Sequence, residues 1–146
     1  MESPGLTIVH AKEDADFEKI FGIREAVFEK ELGVEEEAQV DGFDHVSHHY
    51  LIVCENVAAG VARWRITLGG NVRLERLAIL KEYRGRGYGK ALMDRMLQDI
   101  PQAKTTHVEC LAKQAKYFEK FGFVVEEDEF DFQGIPHLRM RLVKPS

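Results

Sequence analysis

The sequence predicts a mixed α/β protein built around a single, mostly antiparallel sheet flanked by helices. Short apolar strands intermingle with segments of helical apolar spacing, and the early strands are joined by tight turns. One strand, glycine-rich turn, helix and strand step stands in the middle of the chain. At 146 residues, 45% hydrophobic and 31% charged, the chain has the length and composition of one domain over 1–146.

In order, Leu6–His10 reads as a short apolar strand. A helix follows from about Glu13, with Phe17, Ile20, Phe21, Val27 and Phe28 at helical spacing and Arg24 interrupting the stripe. Residues 33–45 are polar and acidic and read as loop with a helical turn. Residues 49–55 and 58–66 form a hairpin, and Gly69-Gly70-Asn71 turns the chain into a strand over 72–80. Tyr88, Leu92, Met96 and Ile100 mark the next helix, which Pro101 stops. A strand over 105–110 and a helix over 111–121 follow, with Gly122 as the residue that closes that helix. Residues 123–125 and 136–142 make a final strand pair around an acidic connection. In the last strand Leu138, Met140 and Leu142 alternate with His137, Arg139 and Arg141, one face buried and one solvated.

The net charge of −5 argues against nucleic acid as a partner. No apolar run approaches membrane-spanning length, and no basic region precedes an apolar stretch at Met1, so a cytoplasmic protein without membrane association is expected. Cys54 and Cys110 fall in predicted strands without metal-ligand spacing and read as reduced core cysteines. His48, His49 and His137 form no zinc spacing either, so no metal is expected. Lys81, Arg84, Arg86 and Lys90 make a basic island. Glu29, Glu31, Glu35, Glu36, Glu37, Asp41 and Asp44 make an acidic tract, and 126–131 a second. This division suits an anionic cofactor and a cationic acceptor, and solvated loops explain the acids equally well.

The basic island surrounds the most informative segment, Arg84-Gly-Arg-Gly87-Tyr-Gly89-Lys90. A glycine turn running into a helix leaves backbone N–H groups unpaired at the positive end of the helix dipole, a ready phosphate site. The P-loop pattern fails, because Ala91 follows Gly89-Lys90 and Arg84 stands where its first glycine belongs. The dinucleotide fingerprint fails at Lys90, where a third glycine is needed. The spacing that fits is Arg84-x-x-Gly87-x-Gly89 after a strand, which resembles the acetyl-CoA site of the GNAT superfamily of N-acetyltransferases.

The order of elements is similar to the GNAT fold from end to end, and Tyr117-Phe-Glu-Lys-Phe-Gly-Phe123 resembles its closing helix signature. Arg24-Glu-Ala-Val27-Phe28 with Asp41, Asp44 and His48, and Gly134-Ile-Pro-His137-Leu-Arg-Met140, resemble the ElaA/YjcF-like branch. The resemblance implies acetyl transfer from acetyl-CoA to a primary amine by direct attack in a ternary complex. It implies a small-molecule amine acceptor and admits a homodimer. A non-catalytic acyl-CoA sensor and a transferase of longer acyl chains are the alternatives. The resemblance implies that the strand residues Leu77, Ala78 and Ile79 lie along the pantetheine arm. It implies that Arg84, Gly85, Arg86, Gly87, Tyr88, Gly89 and Lys90 hold the pyrophosphate. Asp41, Asp44, His48 and His137 become acceptor-pocket candidates.

Acetyl transfer needs a neutral amine, a donor for the developing oxyanion and an acid for the departing thiolate. Glu75 shares the strand parity of Leu77 and Ile79, so it can serve the acceptor; a salt bridge with Arg73 or Arg76 is its other reading. The family's acid is a tyrosine four residues before the glycine, where this chain has Phe118. Tyr117 stands one place earlier, a rotation of about 100° on a helix. Either Tyr117 protonates the thiolate or water does. Cys110 has no histidine suitably paired with it for a nucleophile, His107 being on the other strand face.

Overall fold

The computed structural model describes residues 5–36, 41–101 and 104–143. Among them are eight strands in one sheet: β1 Leu6–His10, β2 His48–Cys54, β3 Val57–Ile66, β4 Val72–Ile79, β5 Thr106–Leu111, β6 Phe123–Val125, β7 Phe130–Phe132 and β8 Ile135–Leu142. The order is β1-β2-β3-β4-β5-β8-β6, with β7 paired to β8. β4 and β5 run parallel, with Val72 opposite Thr106, Arg73 opposite His107 and Leu74 opposite Val108. The β1–β2, β2–β3, β5–β8, β6–β8 and β7–β8 pairs are antiparallel. The expected mixed sheet is therefore present. The chain forms two compact units, residues 1–64 with 76–100 and residues 65–75 with 101–146.

In the first unit, α1 (Asp14–Arg24) begins where the Asp16 carboxylate accepts the Lys12 and Glu13 N–H groups. It buries Ile20 and Ile23 against Leu51, Val61 and Ala78. The expected helical stripe continues past Arg24 with a different pitch. Glu25–Glu31 is π-helical, and the Leu32 N–H reaches back five residues to Val27 O at 3.0 Å. That wider turn still buries Val27 in the same core. Gly60 lies under β4, where a Cβ would stand 3.0 Å from Ala78 O and closer still to Ile79 Cδ1. α2 (Tyr88–Asp99) buries Tyr88, Leu92 and Met96, with Ile100 beyond its end, as their spacing predicts.

In the second unit the structure departs from the sequence reading twice. The helix expected over 111–121 is only α3, Ala115–Glu119, preceded by a 3₁₀ turn at Ala112–Gln114. Leu111 belongs to β5, whose pairing with His137 of β8 carries the strand one residue further than its own pattern shows. The acidic connection before the last strand contains β7. Gln133 and Gly134 both take positive φ there, the geometry of a tight hairpin turn. Gly122 has φ 98° and donates to Glu119 O at 3.0 Å, ending α3 as expected. No helix among the described residues is long and apolar enough to cross a membrane.

Candidate active site

The glycine turn follows β4 through a 3₁₀ turn at Lys81–Tyr83. Gly85 and Gly87 take φ of 79° and 82°, the left-handed region that an L side chain resists. Gly87 is the N-cap of α2, so the first N–H groups of that helix open directly onto the turn. A Cβ on Gly85 or Gly87 would meet nothing within 4 Å, so the turn is a concavity open to a ligand. Gly89 lies inside the helix instead, where its use is a bare surface and not an unusual φ. Tyr88, the first helical residue, turns inward and its hydroxyl donates to Cys54 Sγ at 3.1 Å.

The basic island is already engaged. Arg84 donates from Nη1 and Nη2 to the two Glu31 carboxylate oxygens at 2.7 and 2.6 Å, and from Nε to Ile79 O at 2.9 Å. The bond to Glu31 raises the Arg84 pKa further. Lys90 pairs with Asp94 at 2.7 Å, and the Arg86 guanidinium stands 5.3 Å from the Tyr83 ring centre.

A second constellation in the first unit went unread in the sequence. Arg63, with no exposed surface, donates to Asp44 at 2.6 Å and pairs closely with Asp41. Arg24 donates to Asp44 at 2.9 Å and Arg76 to Asp41 at 3.2 Å. Burial alone would raise the Asp41 pKa. The Arg63 hydrogen bond, the Phe43 amide and the charges of Arg63 and Arg76 outweigh it, bringing the group down to about 2. Burial likewise opposes ionisation of Asp44, and Arg24 and Arg63 prevail. The structure thus brings Asp41 and Asp44 together, each facing arginines. Of the acidic tract, Glu37 lies outside the described residues.

His48 does not join them. Strand alternation turns His49 toward Asp44, whose carbonyl lies 2.8 Å from Nε2, and burial lowers the His49 pKa. His48 stacks on Trp64 with ring centres 4.1 Å apart and meets His10 Nε2 at 3.3 Å. Arg24 was legible as a charge inside an apolar stripe. Arg63 was legible only as a charge in a strand flanked by apolar residues, a signal that names no partner.

In the second unit, Glu75 accepts from Arg65 Nε at 2.6 Å, both side chains nearly buried. Arg73 pairs with Glu109 at 3.3 Å. Arg76 has φ 57° inside β4, and such a residue interrupts the two-residue alternation. The parity expected to unite Glu75 with Leu77 and Ile79 therefore does not hold, and Ala78, not Ile79, packs in the α1 core. Tyr117 is half-buried, its ring edge-on to Phe118 and Phe121 at 5.3 and 5.4 Å. Phe118 is buried against Phe123. Burial pushes the Cys110 thiol up to about 11, in keeping with a core cysteine. His137 Nδ1 lies 2.8 Å from Ile135 O, its ring between Phe130 and Phe132. His107, noted in the sequence only for its distance from Cys110, is buried with Nε2 3.3 Å from Glu126 Oε2. Its Nδ1 is also buried and meets no hydrogen-bond partner among the described residues. An acceptor left so costs about 1–3 kcal/mol.

A mixed sheet with an open glycine turn at a helix N-terminus defines an acyl-CoA-dependent N-acyltransferase class. Residues 12–144 match the acetyltransferase (GNAT) domain family, and the chain belongs to that family. A Bacillus subtilis (strain 168) protein assigned as an acetyltransferase is 36% identical over 134 residues, 87% of this chain and 89% of the relative. The N-acetyltransferase YjcF of the same organism, itself uncharacterised, is 30% identical over 92% of this chain and 98% of its own length. The crystal structure of Escherichia coli ElaA superposes with a TM-score of 0.84 over 94% of this chain and 98% of that one. At 20% identity that likeness speaks to the fold.

Proposed function

We propose that this chain, as one domain over 1–146, transfers an acetyl group from acetyl-CoA to a primary amine on a small molecule by direct attack in a ternary complex. The observation that carries this reading is the Arg84-x-x-Gly87-x-Gly89 turn, with Gly85 and Gly87 left-handed and the α2 N-terminus opening onto it. Gly85 to Gly89 offer N–H groups to the pyrophosphate, and Leu77 and Ile79 offer backbone groups to the pantetheine amides. Because Arg84 occupies Ile79 O, cofactor entry on this reading displaces or shares that guanidinium. Asp41 and Asp44 act on the acceptor through their arginines and not as bare carboxylates.

Calorimetry with acetyl-CoA, followed by thiol release over a panel of alkylamines, polyamines, aminoglycosides and lysine peptides, tests the reading. Binding together with amine-dependent thiol release is the expected result. Binding without release for any amine would favour an acyl-CoA sensor, the reading that the Phe-packed Tyr117 supports. Absence of binding would remove the reading altogether.

A further inference from the structure

The orphaned nitrogen of His107 stands out from the ion-pair lattice around it. Its side chain is 6% exposed, and Nε2 faces the Glu126 carboxylate. A carboxylate only accepts, so Nε2 carries the hydrogen and Nδ1 keeps its in-plane lone pair. Glu126 is itself fixed: Arg141 Nε donates to it at 3.0 Å, and its own N–H donates to Arg139 O at 2.9 Å. The sequence carboxylate, imidazole, unengaged lone pair is the arrangement of a base with its orienting group. Arg73, Glu109 and Arg141 are the charged residues that share its face of the β4, β5 and β8 ladder. Arg73 is engaged by Glu109, and Arg141 by Glu126, so neither occupies Nδ1.

The location fits such a task. His107 lies opposite Arg73 in the parallel ladder, and Val108 opposite Leu74. Glu75 is the next residue of β4, the strand to which the proposed function gives the pantetheine. Glu75 itself is engaged by Arg65, whereas the His107 lone pair has no protein group to receive.

We propose that His107 is the general base that deprotonates the acceptor ammonium, with Glu126 as its positioning residue. This rests on the acetyl-transfer reading above. Nδ1 takes one proton from the ammonium, directly or through one water, and leaves a neutral amine. The amine lone pair then forms the N–C bond at the thioester carbonyl and the C–S bond breaks. The second nitrogen proton passes to the departing sulfur, and the imidazolium returns its proton to solvent.

The test uses the full chain, the best alkylamine of the panel and its trifluoromethyl analogue, which is already neutral near pH 7. In His107→Gln the amide still reaches Glu126 and the Nδ1 lone pair is gone. With the alkylamine, kcat should fall about 100-fold or more while acetyl-CoA affinity stays. With the neutral analogue the loss should shrink to within about tenfold, because no ammonium proton has to be removed. Glu126→Gln should fold with His107 in place and shift the acid limb of the pH–rate profile. Equal losses for both amines, or an acid limb unmoved in Glu126→Gln, would overturn the assignment and leave His107 as a packed residue. A wild-type chain that binds no acetyl-CoA would instead remove the proposed function, and this inference with it.

Discussion

A guanidinium with no exposed surface stays charged only where carboxylates stand against it, and Asp41 and Asp44 do so for Arg63. The cost of separating them has a pH signature. The folded Asp41 pKa of about 2 lies below its ordinary 3.8, so the native state binds this proton less readily than the unfolded chain does. The stabilisation is therefore complete above about pH 4 and is lost as pH falls toward 2. Asp41→Asn should be less stable than wild type at neutral pH and should lose less stability between pH 4 and 2. Urea midpoints across that range decide it, and parallel curves for the two proteins would contradict the pairing. Such a pair is illegible beforehand, because a lone Arg in a strand carries no address for its partner.

Within the glycine turn, conformation and contact separate cleanly. Gly87 needs φ 82°, so Gly87→Ala should cost about 1–2 kcal/mol of stability, although nothing crowds its Cβ. Gly89 sits in α2, where alanine is favoured over glycine by about 1 kcal/mol, so Gly89→Ala should melt no lower than wild type. Both should weaken acetyl-CoA binding if backbone N–H groups take the phosphates. Thermal unfolding beside calorimetry separates the two effects, and full affinity in both variants would remove the phosphate from this turn. The turn was legible because left-handed φ and helix starts are local matters of a few residues. α3 was not, since the boundary between β5 and the helix is settled by pairing with β8, not by helical spacing.

For the molecule as a whole, a ligand that binds only the folded state stabilises it in proportion to its excess over Kd. Acetyl-CoA at about 100 times Kd should add about 2.7 kcal/mol and raise Tm on the order of 5–10 °C. Acetyl-pantetheine, which lacks the pyrophosphate, should shift Tm far less at the same concentration. An equal shift from both compounds would mean that the phosphate groups contribute nothing.

The mixed sheet, the open turn after β4 and the buried faces of α1 and α2 were determined by the sequence itself. Strand alternation, helical spacing and the left-handed preference of glycine act over neighbouring residues, so pattern alone carries them. The tertiary structure alone decided that His49 and not His48 meets Asp44, and that Arg65 takes Glu75. It also decided that Arg63 finds Asp41 across 22 positions, and that His107 finds Glu126 across 19 while keeping Nδ1 unengaged. These pairs exist only once sheet register and loop path bring distant groups within hydrogen-bond reach, and no local energy in the chain specifies that approach.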